Sequence, residues 1–486
     1  MAANFLHGVE TIEIDRGPRP IRGVKTAVVG LVGTAPIFEV DAADRTVGEP
    51  VLVTGPADAA RYFGGARDGY TIPQALDAIF DQGRGLAVVV NVLDPATHRT
   101  VLAPSSFTFD ADGTIALPQV GVSAVTVTSA DGNTTHVEDT DYAVDYAEGT
   151  VTRIATGAIA EESEVLVGYT HVDAGQITAG DVIGGTDGAG GRTGMKAFEH
   201  AYNLFGFAPK ILIAPGYADD AAVATELDAL AHTLRAIALV DAPKGISVTD
   251  ATAGRGPDGT VDAFNSSSER RVLCYPHVKR YDAATDADVL EPMSQRLAGV
   301  ICRTDYERGY WWSPSNQEIR GITGAEKKLS ARINDATSEV NLLNEAGITT
   351  LFNSFGTGLR TWGNRSAAWP SVTHPKNFIN IRRTADVIHE SVEYSMLQFL
   401  DRPINDALID DIRESVNAFL RTLVGRGALI DGRCLYDPAK NPPTEIALGH
   451  LTFDVEFMPP VPAERITFES FININLLQQL GGGAAS

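Results

Sequence analysis

The sequence predicts a multidomain α/β protein with a small all-β insertion and an α+β carboxy-terminal unit. Three observations predict it. Short apolar strands alternate with helical stretches in two separate blocks, which implies a mostly parallel sheet covered on both faces. Residues 105–175 instead carry turn signals between regularly spaced strand patterns. Near the end, two helical patterns precede a strand with one apolar face.

In chain order, Ile12 and Ile14 alternate with Glu13 and Asp15 until Gly17, Pro18 and Pro20 break the pattern. This arm has no hairpin partner nearby in sequence. Val24 to Val32, Pro50 to Thr54 and Leu86 to Val92 read as strands, and Ile72 to Phe80 as a helix whose apolar face carries Ile72, Leu76, Ile79 and Phe80. In the insertion, Val125 to Thr128 leads to Asp131-Gly132, a hairpin signal. Tyr142 to Tyr146, Thr150 to Ile154 and Glu164 to Thr170 follow as strands. A glycine-rich stretch, 176–194, reads as a connector. Ile211 to Ile213, Ala236 to Val240 and Val272 to Tyr275 then read as buried strands, with a helix marked by Val223, Leu227, Leu230 and Leu234. In the terminal unit Ile388, Val392, Met396 and Phe399 line one helix. A second, opened by Pro403, carries Ile404, Leu408, Ile412, Val416, Phe419, Leu420 and Leu423 until Gly425 and Gly427 stop it. Leu451, Phe453, Val455 and Phe457 alternate with Thr452, Asp454 and Glu456, and a last strand places Ile466, Phe468, Ile472, Ile474 and Leu476 on one side. The resulting division is an arm at 1–20, α/β segments at 21–104 and 176–369 around the insertion at 105–175, the α+β unit at 370–464, and an arm with a flexible tail at 465–486.

Thirty-nine basic against 62 acidic residues give a net charge of −23. That excludes a basic face for displacing counterions from nucleic acid, and an anchor on anionic lipid. Three widely spaced cysteines, Cys274, Cys302 and Cys434, suit neither a disulfide framework nor a zinc site and are expected to be buried in a reducing compartment. No apolar run reaches membrane-spanning length and the amino terminus lacks a signal-peptide pattern, so cytosolic synthesis without membrane insertion is expected.

Catalytic motifs are missing where they would be expected. The glycine run at 184–194 fits neither GxGxxG nor GxxxxGK[ST]. There is no GxSxG elbow, and the ten histidines show no paired spacing. Asp241, at a strand end, sits where α/β enzymes place catalytic groups, but it reads better as a helix or turn cap before Pro243. Trp311-Trp312 reads as packing of a loop or subunit contact. No metal or cofactor is expected, and the chain does not read as an enzyme.

Several segments carry a resemblance. Phe5 to Glu10, Arg16 to Ile21 and Val24 to Pro36 resemble the opening of contractile-tail sheath proteins of phages and R-type bacteriocins. So do Arg192-Thr193-Gly194 with Pro209 to Pro215, Trp312 to Asn316 with Ile319 to Gly324, and Gly449 to Pro462 with Glu464-Arg465-Ile466. The resemblance spans nearly the whole chain. It implies a central domain of subtilisin-like topology without protease function, an outward-facing insertion, and amino- and carboxy-terminal arms exchanged between subunits. It further implies a helical homo-oligomer of stacked hexameric rings around an inner tube, contacts with baseplate and tail terminator proteins, and a virion or bacteriocin particle assembled in the host bacterial cytoplasm.

On that reading Val9, Ile12 and Ile14 form the amino-terminal inter-subunit strand, and Ile466, Phe468, Ile472, Ile474 and Leu476 the carboxy-terminal one. Leu451, Phe453, Val455 and Phe457 mark the acceptor strand, added to by β-augmentation. Fixing a loose ten-residue arm costs about 10–20 kcal/mol of backbone entropy, and net hydrogen bonds return only about 0.5–1.5 kcal/mol each, so the arm needs its apolar side chains, at roughly 1.5–3 kcal/mol apiece. Arg413 and Arg421, on the second terminal helix, are candidates for facing the tube, or are ordinary exposed arginines. The competing readings are an α/β hydrolase-like or nucleotide-dependent enzyme, and a surface-array protein, which would need the secretion signal the sequence lacks.

Overall fold

The computed structural model of the chain describes residues 20–479, apart from 187, 257, 258 and 355. The predicted amino-terminal strand with Val9, Ile12 and Ile14 lies outside the described residues.

An eight-stranded sheet forms the centre. Its strands are β1 (Val28–Gly33), β2 (Pro50–Val53), β3 (Leu86–Asn91), β4 (Ile211–Ile213), β5 (Ile237–Asp241), β6 (Arg271–Cys274), β7 (Ile348–Ser354) and β8 (Gly358–Trp362). They lie in the order β8-β7-β6-β5-β4-β1-β3-β2. The strands from β3 through β7 run parallel, and β2 and β8 close the edges antiparallel. Successive residues of one strand feed opposite faces. Val29 and Leu31 join a core with helices α1 (Ile72–Phe80) and α3 (Met293–Glu307), whereas Val28 and Val32 join one with α2 (Ala221–Leu234). Such two-sided burial explains why these strands read as continuous apolar runs.

The insertion is two small antiparallel sheets. Arg99–Thr108, Glu164–Val172 and Val122–Ser129 form one, and Thr114–Ala116, Thr150–Arg153 and Tyr142–Asp145 the other. They enclose a core of their own, including Phe109, Val127, Tyr142, Val151 and Val167. Its two ends enter and leave side by side: Arg99 pairs with Val172, and Thr100 donates a 2.6 Å hydrogen bond to Asp173. The predicted connector at 176–194 contains a short helix, Ala179–Ile183, held by a Thr178–Asp181 capping box.

The carboxy-terminal unit comprises α4 (Ile379–Met396), α5 (Asp406–Gly425) and the antiparallel pair β9 (Asp431–Tyr436) and β10 (Phe453–Met458). Two expectations need correction. Helix α5 begins at Asp406, three positions past Pro403, and is capped by Asn405, whose side chain accepts from the Leu408 N–H, so Ile404 lies outside it. Phe399 belongs to a separate 3₁₀ turn after α4. Gly427, with φ of +76°, terminates α5 as expected.

Helix α4 joins this unit to the central sheet through charge. It crosses the amino-terminal end of the strands, where Arg270 forms two bonds to Asp386 at 2.6 and 2.8 Å and Arg383 two to Asp305 at 2.7 and 2.6 Å. Lys210 meets Glu390 at 2.5 Å, and Arg382 reaches Glu269 at 2.9 Å. Burial pulls the Lys210 ammonium below its ordinary pKa, against the opposing pull of Glu390. Paired groups of this kind are expensive to separate and fix one relative orientation.

Candidate functional site

In an open parallel sheet, ligands bind beyond the carboxyl ends of the strands where the strand order reverses. Here that point lies between β1 and β4, and the chain fills it. Thr34 and Thr71 bond reciprocally, with Thr34 N–H to Thr71 Oγ1 at 3.1 Å and Thr71 N–H to Thr34 O at 3.0 Å. The Tyr217 hydroxyl lies against Thr34. A Cβ on Gly33 would come within 2.2 Å of Thr71 Oγ1, so only glycine permits this closure.

Asp241, at the end of β5, is buried and accepts the Ser294 N–H at 2.8 Å. It caps α3 from 53 residues away, where Pro292 has no capping side chain. The expected cap before Pro243 is therefore corrected: Asp241 caps a helix distant in sequence. The other Asp241 oxygen and the Ser294 hydroxyl have no hydrogen-bond partner, and His277 Nδ1 faces Glu326 at 3.9 Å, so Asp, His and Ser do not form a relay. Burial raises the Asp241 carboxyl above its ordinary range, with His277 acting in the opposite direction. A carboxyl with a raised folded-state pKa favours folding fully below its unfolded value and loses that contribution as pH rises through the folded one. Asp241→Asn keeps an acceptor for Ser294 without the charge. It should therefore raise stability by about 1 kcal/mol at pH 7, and the difference should vanish towards pH 4. Urea titrations across that range test this; a variant less stable than wild type at every pH rejects it.

A groove of about 620 Å³ opens at the amino-terminal end of the sheet, lined by Lys25, Arg84, Cys302 and Tyr306. Its ionic groups are already engaged: Arg84 lies 4.4 Å over the Tyr306 ring, Asp305 is held by Arg383, and burial drives the Cys302 thiol far up. Among the described residues no three His, Cys, Asp or Glu side chains are placed to hold a metal.

The feature with unsatisfied chemistry is the β9–β10 pair. Registers run from Asp431 opposite Met458 to Tyr436 opposite Phe453. The N–H and C=O of Cys434 both bond Asn417 of α5, at 2.7 and 3.1 Å, so they point away from β10. Residues alternate inward and outward along a strand. Arg433 and Leu435 therefore point inward, as do their partners Glu456 and Asp454. On the same side of β10, Thr452 exchanges both backbone bonds with Asn441 at 2.7 and 2.9 Å. The backbone groups of Phe453, Val455 and Phe457 consequently face outward, three N–H and three C=O groups on an edge that no other described strand covers.

The insertion treats its edges differently. One edge strand carries Pro104 at a register break between Leu102 and Ser105, and the other breaks between Ser123 and Thr126 with Ala124 at φ +47°. Proline and bulges blunt an edge against further pairing, and β10 has neither.

Of the predicted acceptor residues, Phe453, Val455 and Phe457 thus lie along this edge, while Leu451 precedes the strand, which begins at Phe453. Phe453 and Phe457 pack partly into the carboxy-terminal core, while Val455 is 36% exposed. The predicted last strand is not a strand in the subunit. After Arg365 bonds Glu464 at 3.0 Å, residues 465–473 run without secondary structure, and Ile474–Gln479 form a 3₁₀ turn. Ile466, Phe468, Ile472, Ile474 and Leu476 are all exposed, Ile472 at 97%, and Phe471 and Leu477 join them. Among the described residues this segment pairs with no strand, so the alternating pattern stands without a sheet.

Arg413 and Arg421 are exposed on α5, each paired with an acid of the same helix, Arg413 with Asp410 at 2.8 Å and Arg421 with Glu414. Sequence reasoning missed Asn417 and Asn441, whose roles depend on side chains reaching a strand from elsewhere.

Comparison with known proteins places this geometry. Residues 190–367 match the model of the phage tail sheath protein central domain, residues 371–473 that of the phage tail sheath C-terminal domain, and residues 97–181 a family of proteins of unknown function. The chain is 51% identical to the tail sheath protein of Burkholderia phage BcepMu over 99% of this chain and 100% of that one. It is 26% identical to that of Escherichia phage P2 over 98% of both chains. Its fold resembles the contracted sheath of the extracellular contractile injection system PVC at a TM-score of 0.61 and 14% identity, covering 98% of this chain and all of that one. The contracted helical sheath of the anti-feeding prophage aligns at 0.60 and 17% identity, over 96% and 99%. The chain belongs to the phage tail sheath protein family.

Proposed function

We propose that this chain is the structural subunit of a contractile tail sheath. It polymerises helically around an inner tube and contracts to drive that tube through a target envelope. Subunits are tied together by strand donation: the 465–479 segment of one subunit adds to the open β10 edge of another, and the segment with Val9, Ile12 and Ile14 supplies a second strand. The observation that carries this reading is the coexistence, on one chain, of an unblunted sheet edge and a terminal segment whose apolar side chains are exposed among the described residues. Donor and acceptor are different surfaces of identical chains, so the contact is head-to-tail and propagates into a helix.

The strand order β2-β3-β1-β4-β5-β6-β7 supports the subtilisin-like topology of the central domain. The filled crevice at the strand ends supports a non-enzymatic role. Stacked hexameric rings, contacts with tube, baseplate and terminator proteins, and assembly in the host cytoplasm before incorporation into a particle complete the proposal. The acids flanking Arg413 and Arg421 leave α5 without a strongly basic face, so any contact of theirs with an acidic tube requires these pairs to open.

Val455→Pro provides a test. The Val455 N–H points outward, so proline removes no bond to β9, and edge strands tolerate proline at such positions. The variant should remain a folded monomer with unchanged circular dichroism, while its yield of striated tubes in negative-stain micrographs falls at least tenfold. Tubes at wild-type yield would reject strand donation at this edge.

A further inference from the structure

We propose that Asn417 is a built-in stop that closes the β9 edge, so strands from other copies of this chain can be added only on the β10 side. The inference rests on the strand-donation reading above and adds a direction to it.

The Asn417 side-chain amide copies a peptide group. Its Oδ1 accepts the Cys434 N–H at 2.7 Å and its Nδ2 donates to the Cys434 carbonyl at 3.1 Å, the reciprocal pair that a neighbouring strand residue would make. The amide sits in the middle of α5, between Val416 and Leu420, which are both buried in the carboxy-terminal core. One turn of helix away, Leu420 covers Gly432: a Cβ there would stand 3.4 Å from Leu420 Cδ2 and 3.3 Å from Phe457 Cβ. Of the three outward positions of β9, Cys434 is thus occupied by Asn417 of α5, and the Gly432 N–H is taken by Asp431 Oδ1 at 2.8 Å. On β10 none of the three is, since Asn441 bonds Thr452 on the inward side.

The two edges are therefore unequal by construction. A sheet open on both sides would accept an arm at either, and a lattice of such subunits could branch or reverse. With β9 closed, the first donated strand must lie on β10. A second must lie on the first, giving the order β9-β10-arm-arm. The docking of one arm then creates the edge on which the other docks.

Cysteine cross-linking in assembled sheath tests this. The native cysteines are buried and leave the background low. One series pairs Val455→Cys on β10 with single cysteines replacing Ile466, Phe468, Ser470 or Ile472. The other pairs the same arm positions with Arg433→Cys or Leu435→Cys on β9. Covalent dimers should form on oxidation in the first series only. Dimers through 433 or 435 overturn the stop while leaving strand donation standing. Intact tubes with dimers in neither series overturn both.

In an Asn417→Ala background, where folding is checked by circular dichroism, dimers through Arg433→Cys should rise at least fivefold and tubes should become branched or irregular. An unchanged cross-linking pattern and regular tubes would show that Asn417 does not hold the edge.

Discussion

A chain ending at residue 464 should be a folded monomer that makes no tubes at concentrations where the full chain polymerises. The removed side chains Ile466, Phe468, Ile472, Ile474 and Leu476 are exposed in the subunit, so their loss costs it almost nothing. Calorimetry should place its unfolding within about 2 °C of the full chain, a shift that corresponds to roughly 2 kcal/mol in a chain of 486 residues. In the assembly the same side chains have a sheet edge to cover. Burying an aliphatic or aromatic side chain contributes roughly 1.5–3 kcal/mol, and each 1.4 kcal/mol is tenfold in an equilibrium constant. Even two of the five would shift the critical concentration by about a hundredfold, and losing all five abolishes polymerisation on any practical scale. Sedimentation and negative-stain microscopy of the truncated protein decide the matter. Regular tubes at wild-type concentration would refute strand donation by this arm, and a large fall in melting temperature would mean that it packs on its own body.

Asp386→Ala should cost about 3–5 kcal/mol, the expected penalty for leaving a buried guanidinium uncompensated. Arg270 is buried and forms two short bonds to Asp386, and Arg382 bonds the same carboxylate at 2.9 Å, so one truncation strips two arginines. The double variant Arg270→Met with Asp386→Leu should recover most of the loss, because an apolar pair of similar volume avoids the desolvation that the charges incur. Urea denaturation of the single and double variants tests both statements. A single variant within 1 kcal/mol of wild type would show that α4 is held by its apolar residues alone.

These features differ in how far the sequence reveals them. Helix α1 was legible to the residue because Ile72, Leu76 and Ile79 repeat at helical spacing and Pro73 suits a first turn. Strands β1 and β3 were legible because burial on both faces leaves unbroken apolar runs. Val24 to Ala27 were drawn into β1 by the same rule, but Val24 N–H bonds Ser391 of α4 instead of a neighbouring strand. The antiparallel strands Val278–Asp282 and Ala287–Glu291 escaped notice because they are short and largely polar. In α4 the apolar stripe through Ile388 and Val392 was readable, but Arg383, Asp386 and Glu390 on its buried face were not singled out. Their spacing of three and four was the available signal. Residues 466–476 read as a strand from their alternating pattern, but among the described residues the segment pairs with no strand, and Ile474–Gln479 form a 3₁₀ turn. Asn417 left no signal, since an asparagine within a helix announces nothing until a strand is laid beside it.

The insertion is joined to the body by two chain segments that are already neighbours, Arg99 and Val172, and it packs on itself. Directly opposed residues of an antiparallel pair stand about 5 Å apart, a gap that a short turn can span. A cassette mounted in this way can be lost, lengthened or exchanged for an unrelated one without moving β3 or the segment that leads to β4. A lineage can thus change this cassette while the central sheet stays the same.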